Sequence, residues 1–583
     1  MHRNRAVLGV LLLMLLACQA VRLPPAITPP GSPTPPIAPT TTLSGRASAS
    51  PPEPTAPWVS TPSSQPATAL PTATTTPTVG GFSVRTHPDG GLYMGDQVSF
   101  EVIAPPDLDV EGLSVQAQVG ESAAAPLGPA NFTEHGIGRR SQATLLWAWD
   151  TAGLSPGTYV LTFSVLPEGP AWSQTLSLQP ASALPPPEPQ ARWVTSESEC
   201  CLVYTISGTA AQRDLEQLLE MADAQADSLT RRVAADFEGP VSLVLIPRVV
   251  GHGGFANDEL SISYLDRNYA GGETAMVLHH EMAHLLDRQM GGDFRPTILV
   301  EGLAVYLSGG HFKPEPLMAR AAALLDLGFY LPLVPLVDNF YLSQHEIGYI
   351  QAGSLVEYMV DTWGWEAFDR FYRDIHPPEP GGGQAEAMDE ALYRHFALTL
   401  TELEQRYLEA LRARPLEPLQ REDVRLTVEL YDAIRRYQQA LDPSAYFLTA
   451  WLLDGKEMRK RGIVADYVRH PSGPENLALE ALLVAADAGL RTGDYPHTAQ
   501  TLYAANTVLD AMAQGLQEPF ALHPVAAAYY DIVLELHSQG YQAQSIQLSG
   551  DSATVWANRS GPELVRIDLS RRAGGWSILR VSQ

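Results

Sequence analysis

The run Val277-Leu-His279-His280-Glu281-Met-Ala-His284-Leu-Leu-Asp287 gathers three imidazoles and two carboxylates in one short stretch. Residues four apart on a helix share a face, so His280 and His284 can direct two imidazole nitrogens at one metal ion. Glu281 then lies beside them, next to an open coordination position. Neutral imidazoles suit Zn²⁺, and a site with three protein ligands keeps a fourth position for water, whose pKa falls to roughly 7. A carboxylate at Glu281 can take that water's proton and pass it to a leaving amine, provided that it does not itself bind the metal. His279 points away, because adjacent helix residues diverge by about a third of a turn. Asp287 either orients a ligand histidine or is a surface carboxylate in the last turn.

His280-Glu281-x-x-His284 is the H-E-x-x-H pattern of zinc hydrolases. A structural helix that matches it by chance is the alternative. The window is apolar and free of Gly and Pro from Thr274 to Met290, so it reads as a helix, which Gly291-Gly292 stops. A second helix is expected after Pro296, carrying Glu301-Gly302-Leu303-Ala304. Here the chain resembles the gluzincin metallopeptidases, the peptidase MA-like group, in which a second helix bearing Glu-Gly-x-Ala supplies the third ligand. The resemblance implies a zinc site of His280, His284 and Glu301, with Glu281 as general base and acid. Downstream, Gly348-Tyr349-Ile-Gln-Ala-Gly-Ser354 is similar to the helix whose first tyrosine hydrogen-bonds the oxyanion in aminopeptidase-N-type gluzincins. This implies that role for Tyr349, with an aromatic residue packed on the core as the alternative.

The chain departs from that group in one place. Its aminopeptidases carry Gly-x-Met-Glu-Asn ahead of the zinc helix to hold a free amino terminus, whereas this chain has Gly253-Gly-Phe-Ala-Asn-Asp-Glu259. Alternation from Leu260 to Tyr264 reads as an edge strand able to pair with an extended peptide. Endopeptidase action is therefore favoured over aminopeptidase action, although Glu259 could bind an amine.

At 583 residues the chain needs several cores. Its net charge of -27 argues against nucleic acid as a partner and against electrostatic binding to anionic lipid. Of the three cysteines, Cys18 belongs to a leader with a basic start and an apolar core. Residues 1–20 are expected to be a signal peptide resembling the bacterial lipoprotein type, with Cys18 lipidated. That makes the membrane a partner through the anchor and places the chain outside the cell. Cys200 and Cys201 read as two partly buried thiols, since adjacent cysteines rarely bridge. Residues 21–80, rich in Pro, Thr and Ser, cannot bury enough surface to fold and read as a disordered tether.

Strict alternation (Val98, Phe100, Val102; Leu145, Trp147, Trp149; Tyr159, Leu161, Phe163, Val165) predicts a β-sandwich over 81–180, resembling bacterial immunoglobulin-like domains and acting as a spacer. Ala183–Gln190 reads as a rigid linker. An α+β catalytic domain over 191–415 comes next, with helices expected at 314–327, 347–362, 364–375, 385–397 and 400–413. A helical region spans 416–540. Alternating runs and Gly turns then give a small antiparallel β meander over 541–583, which resembles the end of a nuclear-transport-factor-2-like α+β domain or is a plain structural module.

The sequence thus points to a cell-surface zinc metallopeptidase with a peptide or protein substrate. Its rivals are a binding protein that keeps the zinc fold without turnover and a zinc hydrolase with a non-peptide substrate.

Overall fold

The structure is a computed structural model that describes residues 80–120, 125–559 and 561–582. The expected leader, Cys18 and most of the tether lie outside the described residues. The described chain is multidomain, with a sheet-rich N-terminal region, a central helical mass over a mixed sheet, and a C-terminal four-stranded antiparallel sheet.

Eight strands between Ser83 and Gln179 enclose one core. Leu127–His135 pairs with Ser114–Val119 through its first half and with Arg140–Asp150 through its second, so it passes from one layer to the other. Period-two burial is cleanest in Ala171–Gln179, where every second side chain is inside. Trp147 breaks the expected face. Its φ of 47° and the register shift between Val98 and Phe100 reverse its direction. Leu145 and Trp149 stay in the sandwich core while Trp147 is buried outside it, among Ile206, Val244 and Met458.

The central sheet has the order Gly254–Ala256, Leu260–Ser263, Val241–Ile246, Cys201–Ile206, Trp193–Glu197. Its inner three strands are parallel and its two outer strands antiparallel. Leu260–Ser263 is therefore not the edge. The preceding Gly254–Ala256 turns back at Asn257–Glu259 and covers it, too short a strand to show alternation. Glu259 is also redirected. It accepts from Ser242 Oγ at 2.6 Å and is ion-paired to Arg459 at 2.5 Å, so it is not free to receive an amine. Cys200 and Cys201 form a disulfide, contrary to the expectation of two thiols. Leu215–Val233 packs on the sheet through Leu218, Ala222, Ala226, Leu229 and Val233, spaced as one helix face requires.

The helices after the motif run Thr297–Ser308, Leu317–Asp326, Leu333–Asp338, His345–Trp363, Trp365–Arg373, Gln384–Phe396 and Leu400–Arg412. Leu317 opens later than expected because Pro314 and Pro316 precede it. Leu333–Asp338 is a further short helix between the expected ones. Beyond Pro418–Leu441, the helices Pro474–Thr492, Tyr495–Ala513 and Pro524–Ser538 share a core with the meander: Leu477, Leu482, Val508 and Ile532 meet Ile546, Val555, Ile567 and Leu569. Helices and meander are thus one α+β body.

Buried arginines hold these bodies together. Arg469 grips Asp96 of the sandwich and Glu188 of the linker, each with two hydrogen bonds of 2.5–2.7 Å. Arg248 reaches Asp89 and Asp442. Arg267 bonds Glu480, the Ala543 carbonyl and Gln544 of the C-terminal body. His87 stacks on Trp451 with centroids 4.0 Å apart. The sandwich is therefore docked through a buried charged joint, which a free spacer would not have. Breaking a buried pair leaves an uncompensated charge and costs about 3–5 kcal/mol. Arg469→Met should lower stability by that amount in urea unfolding, whereas Arg231→Ala, which removes the exposed pair with Asp227, should cost at most about 0.5 kcal/mol. A loss under about 1 kcal/mol for Arg469→Met would mean that the joint is not anchored there.

Candidate metal centre

The motif helix, Thr274–Met290, buries Leu278, Met282, Ala283 and Leu286 in the central core and ends at Gly291, whose φ is 84°. Its opposite side carries His280 and His284. The next helix, Thr297–Ser308, carries Glu301 and lies in backbone contact with His345–Trp363. A Cβ at Gly302 would come within 2.5 Å of the Ala352 carbonyl oxygen, and a Cβ at Gly353 would strike Val305. Only glycine permits that approach, and it fixes the height at which Glu301 meets the histidines.

His280 Nε2 and His284 Nε2 are 3.0 Å apart, and Glu301 Oε2 lies 3.3 Å from the first and 3.2 Å from the second. Zinc bonds nitrogen and oxygen at about 2.0–2.2 Å, and three such donors near 3 Å from one another fit one ion of that size. The donor chemistry agrees, with two imidazoles and one carboxylate. Burial, together with the neighbouring His284 charge, lowers His280 to about 4 despite its bond to Glu301. Burial would also lower His284, but Glu301 outweighs it and lifts the group to about 9. Burial likewise works against the charge on Glu301, yet His284 and His280 hold its carboxyl well below the usual range.

Glu281 is adjacent and 7 % exposed, and it makes no hydrogen bond to a described residue. Burial pushes it up to about 7; Glu301 adds to the rise, while His284 and Arg288 oppose it. The edge strand runs directly against it, since a Cβ at Gly254 would stand 2.6 Å from Glu281 Oε1. Tyr349 lies with its ring 6.1 Å from that of His280 and stacked on His311 at 4.4 Å. Burial raises its phenol well above the usual value, and Glu301 adds to the shift.

Two partners escaped sequence reasoning. Tyr341 donates its hydroxyl to Glu301 Oε1 at 2.5 Å, leaving Oε2 to face the imidazoles. His311 bonds Glu346 through Nδ1 at 2.7 Å and packs on Tyr349. Neither sits at a diagnostic spacing from the motif. Asp287 fits neither expectation. It is buried and bonds Arg295, Arg373 and Tyr372, which anchors the end of the motif helix, and it makes no hydrogen bond to His280 or His284. His279 turns away to Gln225, 3.0 Å distant.

No protein-family model matches the chain, and no curated protein matches it either. A cavity of about 200 Å³ lies elsewhere, against Tyr264, Arg267, His470 and Gln544, so donor chemistry rather than cavity size marks the site. Cys200, Cys201 and Asp223 also come together, but the two sulfurs are bonded to each other, and Asp223 accepts from the Cys200 amide.

Metal analysis of the full chain should find about one zinc, lost in His284→Ala or Glu301→Ala. Tyr341→Phe should weaken zinc affinity by about 10–100-fold in chelator competition, the range expected when a partner that orients a ligand is removed. An unchanged affinity would show that the hydroxyl does not position Glu301.

Proposed function

We propose that the chain is a zinc metallopeptidase of the gluzincin type, hydrolysing internal peptide bonds of a protein or peptide outside the cell. The observation that carries this reading is the triangle of His280 Nε2, His284 Nε2 and Glu301 Oε2 with the unpartnered Glu281 carboxylate beside it. The leader ending at Cys18 supports a lipid anchor on the outer face of a bacterial membrane. The sheet-rich N-terminal region, read from its sequence as immunoglobulin-like, accompanies the enzyme.

Zinc held by the three donors would supply Lewis acidity, polarising a carbonyl and acidifying water. Glu281 then takes a proton from the attacking water and delivers it to the leaving nitrogen. It stands beside the three donors without a hydrogen bond to any described residue, which leaves its carboxylate available to accept and return that proton. Tyr349, a neutral phenol at any ordinary pH, donates to the carbonyl oxygen as negative charge builds on it. Gly254–Ala256, the outer strand of the sheet, offers an extended peptide a main-chain partner alongside Glu281.

Glu281→Gln should retain zinc and lose hydrolysis of a peptide library by about 10²–10⁴-fold. Tyr349→Phe should reduce kcat by about 10²-fold with zinc content unchanged. Undiminished turnover by Glu281→Gln would remove the assignment of the base, and no turnover by the zinc-loaded wild-type chain would remove the peptidase reading.

A further inference from the structure

Arg435 lies on Pro418–Leu441, outside the segment that carries the zinc motif, yet it reaches the turn that carries Tyr341. Its Nη1 reaches the carbonyl of Ser343 at 3.5 Å, two residues beyond the Tyr341 that holds Glu301. Its guanidinium carbon stands 5.3 Å from the centroid of Phe447, which in turn faces Tyr341 at 6.1 Å.

The guanidinium has no carboxylate within ion-pair distance among the described residues, and the exposed Asp432 acts on it only from farther off. Nε and Nη2 are buried with no hydrogen-bond partner among the described residues, and Arg435 makes no ion pair there. Asp432, one turn earlier on the same helix, is engaged by Gln344 at 3.1 Å. The neighbouring stacked rings of His252 and His345, with centroids 3.4 Å apart, have all four of their nitrogens buried and unpartnered as well. Burial first, and then surrounding positive groups that include Arg435, keep both rings neutral. Each therefore offers one N–H donor and adds no negative charge. Buried polar atoms left unbonded at this density are unusual and point to a ligand.

Resting on the peptidase reading, we infer that Arg435, walled by Phe447 and assisted by the His252–His345 pair, is a specificity-determining subsite for a carboxylate of the peptide substrate. The guanidinium fork matches a carboxylate with two parallel hydrogen bonds, and the aromatic wall excludes the water that would weaken them. A substrate peptide can supply that group from its C-terminus or from an Asp or Glu side chain.

The test uses the full chain carrying Glu281→Gln, loaded with zinc, so that binding is read without cleavage. Calorimetry compares an alanine-rich hexapeptide bearing a free α-carboxylate with its C-terminal amide, and the amide carrying one internal Glu with its Gln counterpart. In at least one pair the acid should bind about tenfold tighter or more, as expected for charge-assisted bonds. The pair that shows the preference names the source. Arg435→Gln in the same background should bring that ratio to within about twofold, with Arg435→Lys intermediate, since an ammonium keeps the charge without the fork. Arg435→Gln should also melt no lower than its parent, because it removes a part-buried charge that no carboxylate meets within ion-pair distance. Equal binding of acid and amide in both pairs, no binding of any of the four peptides, a ratio unmoved by Arg435→Gln, or a melting point that falls by several degrees would each overturn the inference. Acid-selective binding by a chain whose wild type cleaves nothing would instead remove the peptidase reading and leave this subsite standing.

Discussion

A carboxylate taken out of water is unfavourable by several kcal/mol unless positive charge and hydrogen-bond donors meet it. Glu301 is such a group. It is almost wholly buried, one oxygen faces two imidazole nitrogens and the other takes the Tyr341 hydroxyl. The two Nε2 atoms in turn point at each other across 3.0 Å, which two neutral acceptors cannot do without a shared proton or a shared cation. The arrangement survives because the helices bearing it cannot slip. Gly302 and Gly353 bring Thr297–Ser308 and His345–Trp363 to backbone contact, and the apolar side of the motif helix is locked in the largest core. Two missing Cβ atoms therefore fix where the carboxylate stands.

The same electrostatic logic recurs at each joint between bodies. The chain has 38 basic residues against 65 acidic ones, so its surface is acidic, and several of its arginines sit inside. Arg248, Arg267 and Arg469 are each less than a twentieth exposed, and each binds groups from distant segments. Asp287 plays the converse part, one buried carboxylate gathering Arg295 and Arg373 at the end of the motif helix. These joints are specific because their geometry is demanding, with a fork-shaped donor against a planar acceptor. Arg435 differs from them in having no carboxylate opposite it.

Local periodicity made the fold's elements readable, and tertiary contact decided what it could not show. The motif helix spans Thr274–Met290 in pattern and in structure alike, because an unbroken apolar window ended by Gly291 leaves no other choice. His280, Glu281 and His284 could be placed on one turn by helix geometry alone, and Glu301 by its place in a second motif. Tyr341 could not, because its bond to Glu301 depends on a short turn folding back across the site. Nor could the partners of Asp287, since Arg373 lies 86 positions downstream. Trp147 shows the limit of alternation as a guide. One residue with a left-handed backbone turns its indole from the sandwich core to the next body. The pattern at Leu260–Ser263 correctly marked a strand but said nothing of its neighbours, and Gly254–Ala256 took the edge.

The sandwich looks from its sequence like a spacer, but the structure gives it contacts that reach the candidate site. Gly138 donates its amide to the Leu448 carbonyl at 2.7 Å, and Arg140 reaches Thr449 Oγ1 at 3.3 Å. Both partners belong to the short segment that carries Phe447. The other side of that segment meets the site, with the Phe447 ring 5.0 Å from His345 and 4.4 Å from His252. A loop gripped from behind has fewer conformations to lose when it receives a ligand, so its wall is preorganised. Were the sandwich only a tethering element, those bonds would have no bearing on the site. Because they close directly behind Phe447, the sandwich forms part of the frame that shapes this side of the candidate site.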